Sequence, residues 1–185
     1  MKGFKNAKVY VENQGIITTN VGIEDGKIAY IGNDQTKITQ PLPYEQGQIV
    51  VAGFIDEHIH GAGGSDAMDG TISALSTIAN SIASEGTTSF LATTMTQSPE
   101  NISKALIAVK DIMEKGEFKG AEVIGVHLEG PFISPKHIGA QPLEYVATPS
   151  VEIFDKYDAL SGGNIKIVTM APEQEGGEDL VRHLN

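Results

Sequence analysis

The sequence predicts a parallel α/β fold preceded by a small β unit, and three observations carry that expectation. From residue 50 on, the apolar runs IVVAGFI, TTSFLATT, EVIGVHL and IKIVTMA alternate with amphipathic segments. Their repeat of roughly 35 to 40 residues is the signature of βα units. Before residue 50 the pattern is one of short strands, and IEDGKIAYIG sets apolar residues on both sides of Asp25-Gly26. That dipeptide suits a two-residue hairpin turn of type I′. The third observation is composition: 40% apolar and 20% charged over 185 residues is ordinary for a globular chain with a sizeable core.

Each element has its own local reason. Residues 7–32 read as short strands, and the polar segment NDQTKITQPLPYEQGQ, with two prolines, reads as a link. The expected organisation is therefore a β segment and linker over 1–49, then an α/β part over 50–185. Each of the four apolar runs reads as a buried strand. In TISALSTIANSIASEG, Ile72, Leu75, Ile78 and Ile82 share one helical face, and Gly86 suits the helix stop. SPENISKALIAVKDIMEKG opens with Ser98 as N-cap and Pro99 in the first turn and closes at Gly116. TPSVEIFDKYDALSGG repeats the device with Thr148, Pro149 and Gly162, and EDLVRHLN begins another amphipathic helix with Leu180, Val181 and Leu184. A full (β/α)8 barrel takes about 250 residues, and residues 50–185 hold about four units. Spacing alone leaves two readings, a small open sheet or half of a truncated barrel.

Charge and composition exclude several functions. A formal net charge of −11 argues against nonspecific binding to nucleic acid or to an anionic membrane. The absence of cysteine removes disulfides and thiolate ligands. The start, MKGFKNAKVYVENQG, has no apolar signal core, and no apolar run approaches the ~18 residues of a membrane span. A cytoplasmic protein is the expectation.

The chemistry-bearing residues cluster at strand ends. In GFIDEHIHG, His58 and His60 stand two apart, so a regular strand projects both to one side. Two such imidazoles can bind one divalent ion at about 2.0–2.1 Å each. The C-terminal ends of parallel strands are also where α/β folds place their sites. Glu129 ends the third main strand just before Gly130-Pro131. A carboxylate there needs a cation or strong donors, although helix capping or pairing with Lys136 would also serve. His127 shares the face of Glu129 and reads as a packed, hydrogen-bonded histidine rather than a ligand. Asp56 shares the face of His58 and His60 and reads as a group that orients a histidine. His137 and His183 lack partners at ligand spacing and read as solvent-facing. The glycines of GAGG, 61–64, lack the context of a phosphate-binding loop and read as a tight turn.

Three stretches, AGFIDEHIHGAGGSD, GTTSFLATTMT and above all HLEGPFISPKHIGAQP, together resemble the N-terminal half of the N-acetylglucosamine-6-phosphate deacetylase family of the amidohydrolase superfamily. The resemblance covers essentially the whole chain. It implies a metal-dependent (β/α)8 barrel with a small β-sandwich built from both chain ends, of which this chain holds about four units. It implies that Glu129 ligates a divalent ion, zinc, iron or similar, with two histidines from later strands, and that His58 and His60 can hold a second ion. It implies that Ala140 contacts the sugar; many family members carry histidine where this chain has Gln141, the neighbouring substrate contact. It implies hydrolysis of the N-acetyl group of N-acetylglucosamine 6-phosphate. The acid/base aspartate and the phosphate-binding groups would lie beyond Asn185, leaving no catalytic residue here and an inactive isolated chain. A homo-oligomer covering the open sheet edges is expected. Two alternatives remain at this level: another cyclic-amide amidohydrolase, dihydroorotase-like, or a noncatalytic half-domain that binds metal or sugar phosphate.

Overall fold

The computed structural model describes residues 1–116 and 119–185 and divides into two compact units, Met1–Ala52 and Gly53–Asn185. The first is a four-stranded sheet of order β3-β2-β1-β4, with β1 Lys2–Val11, β2 Gly15–Glu24, β3 Lys27–Gly32 and β4 Gln40–Pro41. β2 and β3 form the expected hairpin: Glu24 opposes Lys27, and Asp25 and Gly26 have φ of 50° and 74°. Positive φ at both central residues is what a type I′ turn requires. Ala7, Val9 and Val21 form its small core. The polar segment after β3 is held to β1: Tyr10 N–H donates to the Val50 carbonyl, and Lys8 N–H to the Tyr44 hydroxyl.

The second unit is a parallel sheet of order β10-β9-β8-β5, with helices in every crossover. Its strands are β5 Phe54–Ile59, β8 Thr87–Thr93, β9 Glu122–Glu129 and β10 Ile165–Thr169. A short hairpin, β6 Gly61–Ala62 with β7 Ser65–Asp66, follows β5 and turns at Gly63 and Gly64, both at positive φ. That is the tight turn read from GAGG.

Helix signals hold in most places. α1 spans Ile72–Ala83 behind the N-cap Thr71 and buries Leu75, Ile78 and Ile82; Gly86 lies beyond the helix end, at Ser84. α2, Pro99–Lys115, has Ser98 as N-cap and the left-handed Gly116 as C-cap. α3, Val151–Ser161, ends at Gly162 but starts later than expected. Ser150, directly before it, accepts the Ile153 N–H, and Thr148 stands two residues too early to cap. In α4, Gly177–Leu184, only Leu180 of the three expected apolar residues is buried.

One core joins α1–α4 to the sheet through Phe90, Ala92, Val126 and Leu128. Val126 and Leu128 face it, so His127 and Glu129 alternate to the opposite face. The expectation of four buried strands fails at the sheet's outer strands: Phe54 and Ile55 in β5 are 63% and 62% exposed, and no residue of β10 is fully buried. A strand is buried by neighbours on both sides, and these two have one each.

Candidate metal centre

His58 and His60 leave the end of β5, and Glu129 leaves the end of β9, two strands away in the sheet. One ligand atom from each lies within 4.8 Å of the others. Glu129 Oε2 stands 3.0 Å from His60 Nε2 and 3.6 Å from His58 Nε2. Donors around one tetrahedral ion at 2.0–2.2 Å sit about 3.3–3.5 Å apart, so modest adjustment brings these three onto one ion.

The electrostatics of the triad call for a cation. Glu129 Oε2 is buried and has no hydrogen-bond partner. A buried carboxylate oxygen without a donor costs free energy that a positive charge offsets. His60 Nδ1 lies 3.3 Å from the Thr93 carbonyl. A carbonyl only accepts, so Nδ1 donates to it and leaves Nε2 facing the carboxylate. Two lone pairs at 3.0 Å repel unless a proton or a metal ion lies between them. Nitrogen and oxygen donors of this kind suit zinc, iron or manganese alike.

The other residues singled out in the sequence take different places. His127 is buried and hydrogen-bonded, with Nδ1 3.0 Å from the Glu57 carbonyl and Nε2 2.7 Å from Thr169 Oγ1. Asp56 does not orient an imidazole; its carboxylate accepts the backbone N–H of His58. A side chain this short reaches the nearby main chain before it reaches a ring. Glu129 does not pair with Lys136. His137 and His183 are both exposed, as expected, and His183 Nε2 in addition contacts Asp155 Oδ1 at 2.7 Å. Ala140 and Gln141 sit in the loop after β9, where the Gln141 amide oxygen accepts the Thr96 N–H at 2.8 Å. That contact spans 45 residues and left no sequence signal. Thr94 Oγ1 and Thr96 Oγ1 are buried without partners near the end of β8.

Residues 49–179 match the amidohydrolase family. The chain belongs to that family. Among curated amidohydrolases it is 43% identical over 184 residues to N-acetylglucosamine-6-phosphate deacetylase of Bacillus subtilis (strain 168), covering 97% of this chain and 46% of that protein. The enzyme of the same name from Lysinibacillus sphaericus is 40% identical over 166 residues, 90% of this chain and 43% of that one. Among solved structures, N-acetylglucosamine-6-phosphate deacetylase from Thermotoga maritima superposes with a TM-score of 0.79 at 31% identity, covering 98% of this chain and 46% of that one. The chain spans about half the length of the curated relatives it matches. Its parallel sheet is a half-barrel of the amidohydrolase kind.

Proposed function

We propose that this chain is the N-terminal, metal-binding half of a deacetylase acting on N-acetylglucosamine 6-phosphate, releasing glucosamine 6-phosphate and acetate. The observation that carries the reading is the triad of His58, His60 and Glu129, converging at the strand ends around a carboxylate oxygen without a donor. Identity to the deacetylases over nearly the whole chain supports the substrate. In this reading the four parallel strands are the first four of eight, and residues 1–49 form part of a β-sandwich that other strands complete. His58, His60 and Glu129 hold one or two divalent ions, which when bound polarise the amide and acidify water. Glu129 supplies the negative charge, and the Thr93 carbonyl fixes the His60 tautomer. Ala140 and Gln141, in the loop after β9, meet the sugar. With the Gln141 oxygen occupied by Thr96, its amide hydrogens remain to donate. No residue here is assigned as the acid/base, which belongs with later strands. A phosphorylated sugar substrate goes with a cytoplasmic location, and open sheet edges go with a homo-oligomer. No helix among the described residues is long and apolar enough to cross a membrane.

The test is acetate release. Mixed with or joined to a polypeptide carrying the later strands of a relative, the chain should turn over N-acetylglucosamine 6-phosphate, and Glu129→Gln should lower kcat/KM by at least about 10³-fold. The isolated chain should release no acetate above blank. Turnover by the isolated chain, or full activity in Glu129→Gln, would overturn the proposal.

A further inference from the structure

We infer that His127 is a positioning residue for the metal centre: it holds a bulge in β5 in the shape that aims His58 at Glu129. This rests on the reading of His58, His60 and Glu129 as ligands. β5 is not a regular strand. It pairs with β8 at Phe54–Thr87, Ile55–Ser89 and Asp56–Phe90, then resumes at Ile59–Ala92. Three steps along β5 match two along β8, so Glu57 and His58 together oppose the single residue Leu91. Such a bulge bends the strand, re-aims its side chains and takes a backbone group out of the ladder. A carbonyl displaced in this way needs another donor.

The Glu57 carbonyl finds that donor in His127 Nδ1, 3.0 Å away and two strands over. The same ring contacts Thr169 Oγ1, at the end of β10, through Nε2 at 2.7 Å. It also meets the His58 ring edge to face, with centroids 4.9 Å apart and planes at 87°. Because the carbonyl can only accept, Nδ1 donates and Nε2 is left to accept the Thr169 hydroxyl hydrogen. Both nitrogens are then committed, and the ring, 6% exposed, is not free to ligate. What remains for it is geometry. From β9 it fixes the peptide joining Glu57 to His58, packs on the imidazole that follows, and anchors both to β10. The two outer strands of the sheet are tied through one side chain.

Asparagine and glutamine separate these contacts. The asparagine amide nitrogen falls where Nδ1 sits and keeps the bond to Glu57, whereas glutamine reaches the Nε2 position and keeps the Thr169 side. Two-bond ¹H–¹⁵N imidazole spectra of the metal-free 185-residue chain should show the His58 resonances moved in His127→Asn by no more than the loss of the neighbouring ring current brings, and displaced further in His127→Gln and His127→Phe. In Zn²⁺ titrations the latter two should bind roughly 10–100-fold more weakly, the loss expected when a ligand's supporting contact is removed, and His127→Asn within about threefold of the parent. Thr169→Val, which removes only the other contact and keeps the ring, should match His127→Asn in the titration and leave the His58 resonances in place. Equal losses in the asparagine and glutamine variants, or His58 resonances displaced no further in His127→Gln and His127→Phe than in His127→Asn, would overturn the inference. Failure of the parent chain to bind Zn²⁺ would instead sink the ligand reading, and the spectra would still decide the role of His127.

Discussion

The inner strands β8 and β9 and the outer strands β5 and β10 are built from similar apolar sequences and end in different environments. Phe90, Leu91, Val123, Val126 and Leu128 are buried in the inner pair, whereas Phe54 and Ile55 in β5 are mostly exposed. Apolar content makes a strand; neighbours on both sides bury it. The candidate metal centre straddles the difference. Glu129 rises from an inner strand clamped on both sides, with Gly130 N–H bonded to the Thr169 carbonyl. His58 and His60 rise from a bulged outer strand with one neighbour. The carboxylate is placed by the sheet, and the imidazoles depend on side-chain ties through Thr93 and His127.

The largest expected effect tests that difference directly. Phe90→Ala should destabilise the chain by about 3–5 kcal/mol, since it deletes a fully buried aromatic side chain and leaves a cavity. Ile55→Ala removes a mostly exposed side chain and should cost under about 1 kcal/mol, chiefly through lost strand propensity. Urea unfolding followed by circular dichroism, at concentrations low enough to keep the chain monomeric, measures both. Equal costs there would mean that β5 is covered within the monomer, and the contrast between inner and outer strands would fall.

Much of this was legible in the sequence because it is written in local patterns. Asp25-Gly26, Ser98-Pro99 and Gly116 each specify a backbone conformation by themselves, and the structure carries all three. The convergence of His58, His60 and Glu129 followed from strand-end positions in a parallel sheet, a consequence of topology more than of spacing. Most of the failures share a cause. Exposure of β5 depends on what lies beside the strand, which its own residues do not encode; the late start of α3 is instead a local choice between two capping candidates, Thr148 and Ser150. The bulge at Glu57-His58, the bond from Gln141 to Thr96 and the pairing of His183 with Asp155 are contacts across 28 residues or more, or consequences of such contacts. No periodicity announces them.

A second, smaller effect concerns association. β5 and β10 each present an unpaired edge among the described residues, and exposed apolar edge strands pair readily with other chains. The chain should self-associate in solution, and Ile55→Lys should weaken that association. Losing one buried isoleucine per partner removes at least about 1.5 kcal/mol, hence roughly tenfold or more in the dissociation constant. Light scattering coupled to size exclusion over a concentration series gives the constant. A parent chain that stays monomeric at every concentration would break this part of the comparison.

The smallest effect sharpens the comparison at the helices. α2 follows the inner strand β8 and has a side-chain cap: Ser98 Oγ accepts the Asn101 N–H at 3.3 Å. α4 follows the outer strand β10 and has Gly176 before its first residue, so it lacks a side-chain cap. An N-cap oxygen satisfies one of the four backbone donors left open at a helix start, and its removal costs about 1 kcal/mol. Ser98→Ala should therefore lower Tm by about 2–4 °C, the scale expected for a chain of this length. Ser98→Asp should retain the parent value, because a carboxylate accepts the same N–H and its charge suits the helix start. Differential scanning calorimetry resolves shifts of this size. If Ser98→Ala leaves Tm unchanged while Phe90→Ala lowers it steeply, α2 is held by its buried face alone, as α4 must be, and the inner and outer helices differ only in how much they bury.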